Sequence, residues 1–157
     1  MPDAALAWSD KYRTPDTEAL VAPLSETGSA LFGTARDHLR ETLECTETLD
    51  WHGIPWRWSF RLDHGTGKNA ETLAFLVPDP EKPLLVTPLP VTFLGGLRPR
   101  ELSKAGRDLI LNAPEIDGTY WVEWELTTKT GLAETLGLLD KRVAAITGEP
   151  TAQPARR

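Results

Sequence analysis

The sequence predicts an α+β fold, in which a small, mostly antiparallel sheet of about four strands has helices packed on one face. Two stretches, Trp51–Leu62 and Thr119–Leu126, alternate between apolar and polar residues as half-buried strands do. Other segments show the apolar spacing of helices, and these do not alternate with the strands one for one. That order favours antiparallel pairing over the parallel sheet of an α/β protein.

Domain organisation follows from length and composition. The chain has 157 residues, of which 40% are hydrophobic and 25% charged, as is typical of one globular domain. We assign residues 25–147 to a single α+β domain. Prolines and polar residues mark residues 1–24 as an N-terminal arm, which Trp8 and Tyr12 are placed to attach, and residues 148–157 as a flexible C-terminal tail.

The first half of the domain begins with a helix over about Ser25–Cys45, which carries an apolar stripe and a serine suited to cap its start. The alternating strand Trp51–Leu62 follows. The turn-rich loop Asp63–Asn69 then leads to a second strand, Thr72–Val77, so that the two strands form a β-hairpin. The Gly-Thr-Gly-Lys run in this loop lacks the glycine spacing and the following helix of a phosphate-binding loop.

The second half begins with two short extended pieces, Leu84–Val86 and Val91–Leu94, which we predict to form one bent edge strand because prolines separate them. A helix over about Pro99–Asn112 comes next, and the proline after it ends it. The turn Asp117-Gly118 and the strand Thr119–Leu126 then lead to the last helix, about Gly131–Ile146.

Charge and cysteine content exclude several function classes. A net charge of −6 disfavours nucleic acid as a partner. The single cysteine, Cys45, excludes an internal disulfide and indicates a reducing, cytoplasmic location. No signal peptide or membrane span is recognisable. His52 and His64 lie at opposite ends of the predicted strand, so we expect no metal site, and no residue pattern indicates a cofactor or a catalytic group.

The aromatic residues of the two alternating strands form the candidate ligand-binding site, and their partner is an unknown small molecule or protein. They share the predicted helix-facing side of the sheet, where a group of indoles either fills the core or leaves a crevice for a ligand. The candidate residues are Trp56, Trp58, Tyr120 and Trp124.

Two alternatives use other residues. The first is an enzyme acting at the polar sheet face, where Arg57 and Arg61 would meet Glu123 and Glu125 if their strands were neighbours; cross-strand ion pairing explains the same residues without chemistry. The second is a structural or interaction module whose exposed Trp121 marks an interface.

The chain also resembles a family of small uncharacterised bacterial domains of the YdhG-like type. The resemblance covers about Leu31–Ile146 and depends on a Trp58-Ser59-Phe60 strand after a helix and on a strand bearing Trp121 before the last helix. The proline-rich segment 78–90 and the long N-terminal arm depart from the family pattern. The resemblance implies an α+β fold and brings no catalytic residues.

Overall fold

The computed structural model describes residues 4–148 and shows an α+β fold built on one antiparallel sheet. The helices are α1 (Ala4–Ser9), α2 (Thr17–Val21), α3 (Glu26–Asp37), α4 (Val91–Gly95), α5 (Lys104–Leu111) and α6 (Lys129–Thr147). The strands are β1 (Thr46–Trp51), β2 (Trp58–His64), β3 (Glu71–Val77), β4 (Leu84–Pro90), β5 (Glu115–Ile116) and β6 (Thr119–Glu125). Their order across the sheet is β1-β2-β3-β4-β6-β5. The predicted fold class is confirmed, with six strands rather than about four.

One side of the sheet, here called the helix face, packs against α3 and α6. A row of apolar residues crosses this face in register, from Phe60 through Leu76 and Leu85 to Trp124. Phe32 of α3 meets the Phe60 ring edge-on, with the centroids 6.0 Å apart. These side chains are buried, as expected for the core between a sheet and its helices.

The stretch Trp51–Leu62 is not one strand, and this corrects the sequence prediction. Residues 52–57 form a loop that reverses the chain between β1 and β2. Gly53 and Arg57 both have positive φ, 80° and 56°, which the regular alternation of a strand does not allow. Only the second half of the predicted strand, from Trp58 onward, is extended.

The first predicted helix is also shorter than expected. Helix α3 ends at Asp37 and passes into a π-helical turn, His38–Thr42, and Glu44 then takes a left-handed φ of 55°. This early end leaves Thr46–Trp51 to form β1, a strand that the apolar pattern did not indicate. None of its residues is fully buried and Thr46 and Asp50 are exposed, which explains why its sequence, TETLDW, lacks a clear alternation.

Strand β4 corrects the prediction of a bent edge strand. It runs unbroken through Pro88 and Pro90 in the middle of the sheet, between β3 and β6, whereas Val91–Gly95 is helical. Beyond Val86, β4 pairs only with β6. Pro88 lies opposite Trp121, whose backbone N–H points away from β4 and donates to the Pro114 carbonyl. The backbone of Pro88 therefore also points away from β6 at this pair, toward the side of β4 that has no partner strand, and its missing N–H costs no hydrogen bond of the sheet.

The N-terminal residues pack on the domain. Leu20 of α2 is fully buried in the same apolar core as the sheet, and Trp8 of α1 is also buried. Tyr12, the other residue expected to attach the arm, is 90% exposed. Of the predicted flexible tail, residues 149–157 lie outside the described residues.

Truncation of Leu20 tests whether the N-terminal segment belongs to the core. We expect Leu20→Ala to lower the free energy of unfolding by about 2–5 kcal/mol, as for other buried leucines, because it leaves a cavity at a fully buried site. Urea unfolding measures the effect, with Tyr12→Ala as the matched control on the same segment. Equal stabilities of the two variants would contradict the packing described here.

Candidate functional site

The six tryptophans fall into two groups according to what their indole N–H groups do. Three donate within the protein: Trp8 to the Trp56 carbonyl (2.9 Å), Trp58 to the Asp10 carbonyl (2.7 Å) and Trp124 to Thr87 Oγ1 (2.9 Å). Between residues 4 and 148, no acceptor is found for the indoles of Trp51, Trp56 and Trp121. Buried indoles normally find a partner, so the first group is core and the second borders accessible space.

Trp56 does not share a face with Trp58, Tyr120 and Trp124, and the predicted common face is therefore wrong. The loop 52–57 carries Trp56 across to the other side of the sheet, here called the far face. There its ring packs on Phe75, with the centroids 5.0 Å apart, and on Trp121 at 6.3 Å. Because the sheet separates Trp56 from the other three residues, the four cannot line one crevice.

The loop is held in place by its own backbone and by the N-terminal segment. The His52 N–H donates to the Arg57 carbonyl (2.8 Å), which closes the loop. The Trp8 indole donates to the Trp56 carbonyl, and the Arg57 guanidinium lies 5.1 Å from the centre of the Trp8 ring. These contacts fix the backbone from which the Trp56 side chain projects.

Four rings form what we call the aromatic cluster of the far face: His52, Trp56, Phe75 and Trp121. Phe75 lies at its centre and is buried, whereas the other three are half-buried. His52 Nε2 is buried and has no hydrogen-bond partner among the described residues. Burial lowers the pKa of His52, an effect only partly offset by Asp50, so the ring is neutral at neutral pH.

A crevice of about 300 Å³ adjoins the aromatic cluster, and Trp121 belongs to both. It lies between the C-terminal end of α5 and the far face of β4 and β6. Its polar lining comes from Lys82, Asn112, Glu123 and Glu125, and apolar residues such as Leu84 and Pro114 complete it. A concave site with an aromatic wall and a few polar groups is the usual form of a small-molecule site, and this volume is at the small end of the range.

The charged residues proposed for an enzyme do not converge. Strands β3 and β4 separate β2 from β6, which places Arg61 about 14 Å from Glu123 at the spacing of neighbouring strands. Arg61 instead pairs with Asp63 at 3.0 Å. Glu125 lies 4.0 Å from Lys82, and Arg57 is on the loop beside Trp8. The condition on which the enzyme interpretation depended, that the two strands are neighbours, is not met.

The remaining chemically active side chains are also apart from one another. His64 bonds the Leu43 carbonyl through Nδ1 (3.1 Å) at the far end of β2 from His52. His38, in the π-helical turn after α3, contacts Asp140 of α6 at 2.6 Å. In the part of the chain that the structure describes, no three metal-ligating side chains come together.

No family model, curated protein or solved structure matches this chain. The resemblance to YdhG-like domains therefore stays a prediction. None of the helices between residues 4 and 148 combines the length and hydropathy of a membrane span.

Sequence reasoning missed the aromatic partners on the far face. Phe75 lies in a continuous apolar run, LAFLV, that gives no information about which face each residue takes. The glycine at position 53 and the proline at position 55 were the local signals that residues 52–57 form a loop. With that loop recognised, Trp56 could have been separated from Trp58.

Cys45 offers a direct test of the burial beside the π-helical turn. Burial, with a smaller contribution from the Asp63 charge, raises the pKa of its thiol from 9.0 to about 12. At pH 8 we expect about a thousandfold less thiolate than for an ordinary cysteine, and therefore very slow reaction with a disulfide reagent. Release of the coloured thiolate product measures the rate. Fast labelling of the folded protein, at the rate seen in denaturant, would contradict this account.

Proposed function

We propose that this protein is a binding module that holds a small ligand in the crevice beside Trp121. The proposal keeps the aromatic-lined crevice expected from the sequence and moves it from the helix face to the far face. One observation carries it: Trp121 is half-buried, its indole N–H has no acceptor among the described residues, and its ring lines a crevice of about 300 Å³.

Trp56 and Phe75 support the site by fixing the position of Trp121. Their rings lie 6.3 and 6.1 Å from the Trp121 ring, so the indole rests against two large side chains. A wall that is already packed in the ligand-free protein loses little conformational entropy on binding, which favours affinity. Aromatic side chains also present a large contact area for few rotatable bonds.

Substitution of Trp121 tests the proposal. A broad library of metabolites is screened by thermal shift, and a compound at 100 times its Kd stabilises the protein by about 2.7 kcal/mol. We expect at least one compound whose stabilisation is lost in Trp121→Leu. Trp51→Leu is the matched control, because Trp51 is also half-buried but packs edge-on against Trp58 on the helix face, at 5.8 Å.

Two results would count against a small-molecule site. One is the absence of any stabilising compound, and the other is a set of compounds that stabilise Trp121→Leu as well as the parent protein. A protein partner whose binding depends on Trp121 would instead support the interaction module. That result is detected by comparing the affinities of the parent protein and the Trp121→Leu variant for the same partner.

A further inference from the structure

We infer that the crevice beside Trp121 selects a small organic cation, an amine or quaternary ammonium compound with an apolar body. This inference rests on the proposed function and specifies its ligand class. Three features of the crevice, which arise from different parts of the chain, make it a site for positive charge.

The first feature is a pair of carboxylates on alternate residues of β6. Glu123 and Glu125 both project from the far face and both line the crevice. Glu123 forms neither an ion pair nor a side-chain hydrogen bond within residues 4–148. Glu125 has one ionic neighbour, Lys82, at 4.0 Å, and both of these side chains are more than half exposed. The lining therefore carries two negative charges and one positive charge.

The second feature is the end of helix α5. Asn112 is the C-terminal cap of this helix, and Asn112, Ala113 and Pro114 all line the crevice. The last carbonyl groups of a helix carry a partial negative charge, which stabilises cations placed near them. Because the crevice lies at the C-terminal end of α5, the partial charge of this helix end has the same sign as the charge of the two glutamates.

The third feature is the aromatic wall, which the indole of Trp121 supplies. The faces of indole rings are electronegative and attract ammonium groups, whereas they offer an anion nothing comparable. The neighbouring aromatic cluster adds no opposing charge, since His52 is neutral at neutral pH. An apolar ammonium compound matches a site that combines aromatic and carboxylate groups. The volume of about 300 Å³ suits a molecule of this size rather than a polymer.

Charge variants at the crevice, compared with one elsewhere on the protein, separate the effect of local charge from that of net charge. The ammonium group of Lys82 lies on the rim of the crevice, where it partly neutralises Glu125 and would repel an incoming cation. Lys82→Gln should therefore tighten binding of a cation, by about two- to fivefold if the pair resembles other exposed ion pairs. Glu123→Gln should weaken binding by a similar factor, and Glu18→Gln, on α2, serves as the control with the same loss of charge.

The experiment is a titration of the whole protein with choline, tetramethylammonium and agmatine, followed through the indole N–H signals in two-dimensional NMR. The neutral isostere of choline, 3,3-dimethyl-1-butanol, is titrated in parallel. We expect the signals of Trp121 and Trp56 to shift with the cations, and choline to bind about tenfold more tightly than its isostere. Lys82→Gln and Glu123→Gln should then change the choline affinity in the directions given above, and Glu18→Gln should leave it unchanged.

Equal affinity for choline and its neutral isostere, lost in Trp121→Leu, would overturn the inference of cation selectivity and leave the proposed binding site standing. Looser choline binding in Lys82→Gln would also overturn it. If none of the four compounds shifts the Trp121 signal, the inference fails. The metabolite screen then decides separately whether the crevice binds a ligand of another class.

Discussion

The loop between β1 and β2 is the constraint on which the far face depends. Six residues, 52–57, must reverse the chain between two antiparallel strands, and the positive φ values of Gly53 and Arg57 make that reversal possible. The consequence is that Trp56 leaves the face on which its neighbour Trp58 lies. Its ring packs on Phe75 and Trp121, so the far face of the sheet carries a second, smaller apolar cluster.

The N-terminal segment and this loop stabilise each other. Trp8 and Trp58 each donate an indole N–H to a backbone carbonyl of the other segment, at Trp56 and Asp10 respectively. These bonds satisfy two buried donors that would otherwise carry a desolvation cost of about 1–3 kcal/mol each. The N-terminal segment therefore helps to position Trp56, which packs on the Trp121 ring that lines the crevice. Residues that are far from the crevice in the sequence thus contribute to the site.

The sequence predicted those elements in which local pattern and tertiary environment agree. Strand β6 alternates clearly because Val122 and Trp124 are buried in the core while the opposite face borders the crevice, and the hairpin of β2 and β3 has a turn-rich loop. Strand β1 was missed because it has no fully buried residue and its sequence shows no alternation of apolar and polar residues. The path of β4 was missed because a proline weakens a sheet only where its missing N–H would face a partner strand. Which side of a strand has a partner is decided by the tertiary structure.

The candidate site was predicted only in part, for a related reason. Alternation correctly placed Trp121 and Trp124 on different faces of their strand. The same rule, applied across the loop, placed Trp56 on the wrong face. Whether two charged strands are neighbours is also not contained in a local pattern. Arg61 and Glu123 share the far face, yet two strands stand between them. Sequence periodicity specifies which face of a strand each residue occupies. The order of strands across the sheet decides which residues on that face become neighbours.

The position of Trp56 is the central claim, and nuclear Overhauser contacts between aromatic protons measure it most directly. We predict contacts from the Trp56 ring to Phe75 and Trp121, whose ring centroids lie within 6.3 Å of it. Contacts from the Trp56 ring to the Trp58 ring, which a continuous strand over Trp51–Leu62 would produce by placing the two residues about 7 Å apart on the helix face, would contradict this account and leave Trp121 without its support from Trp56.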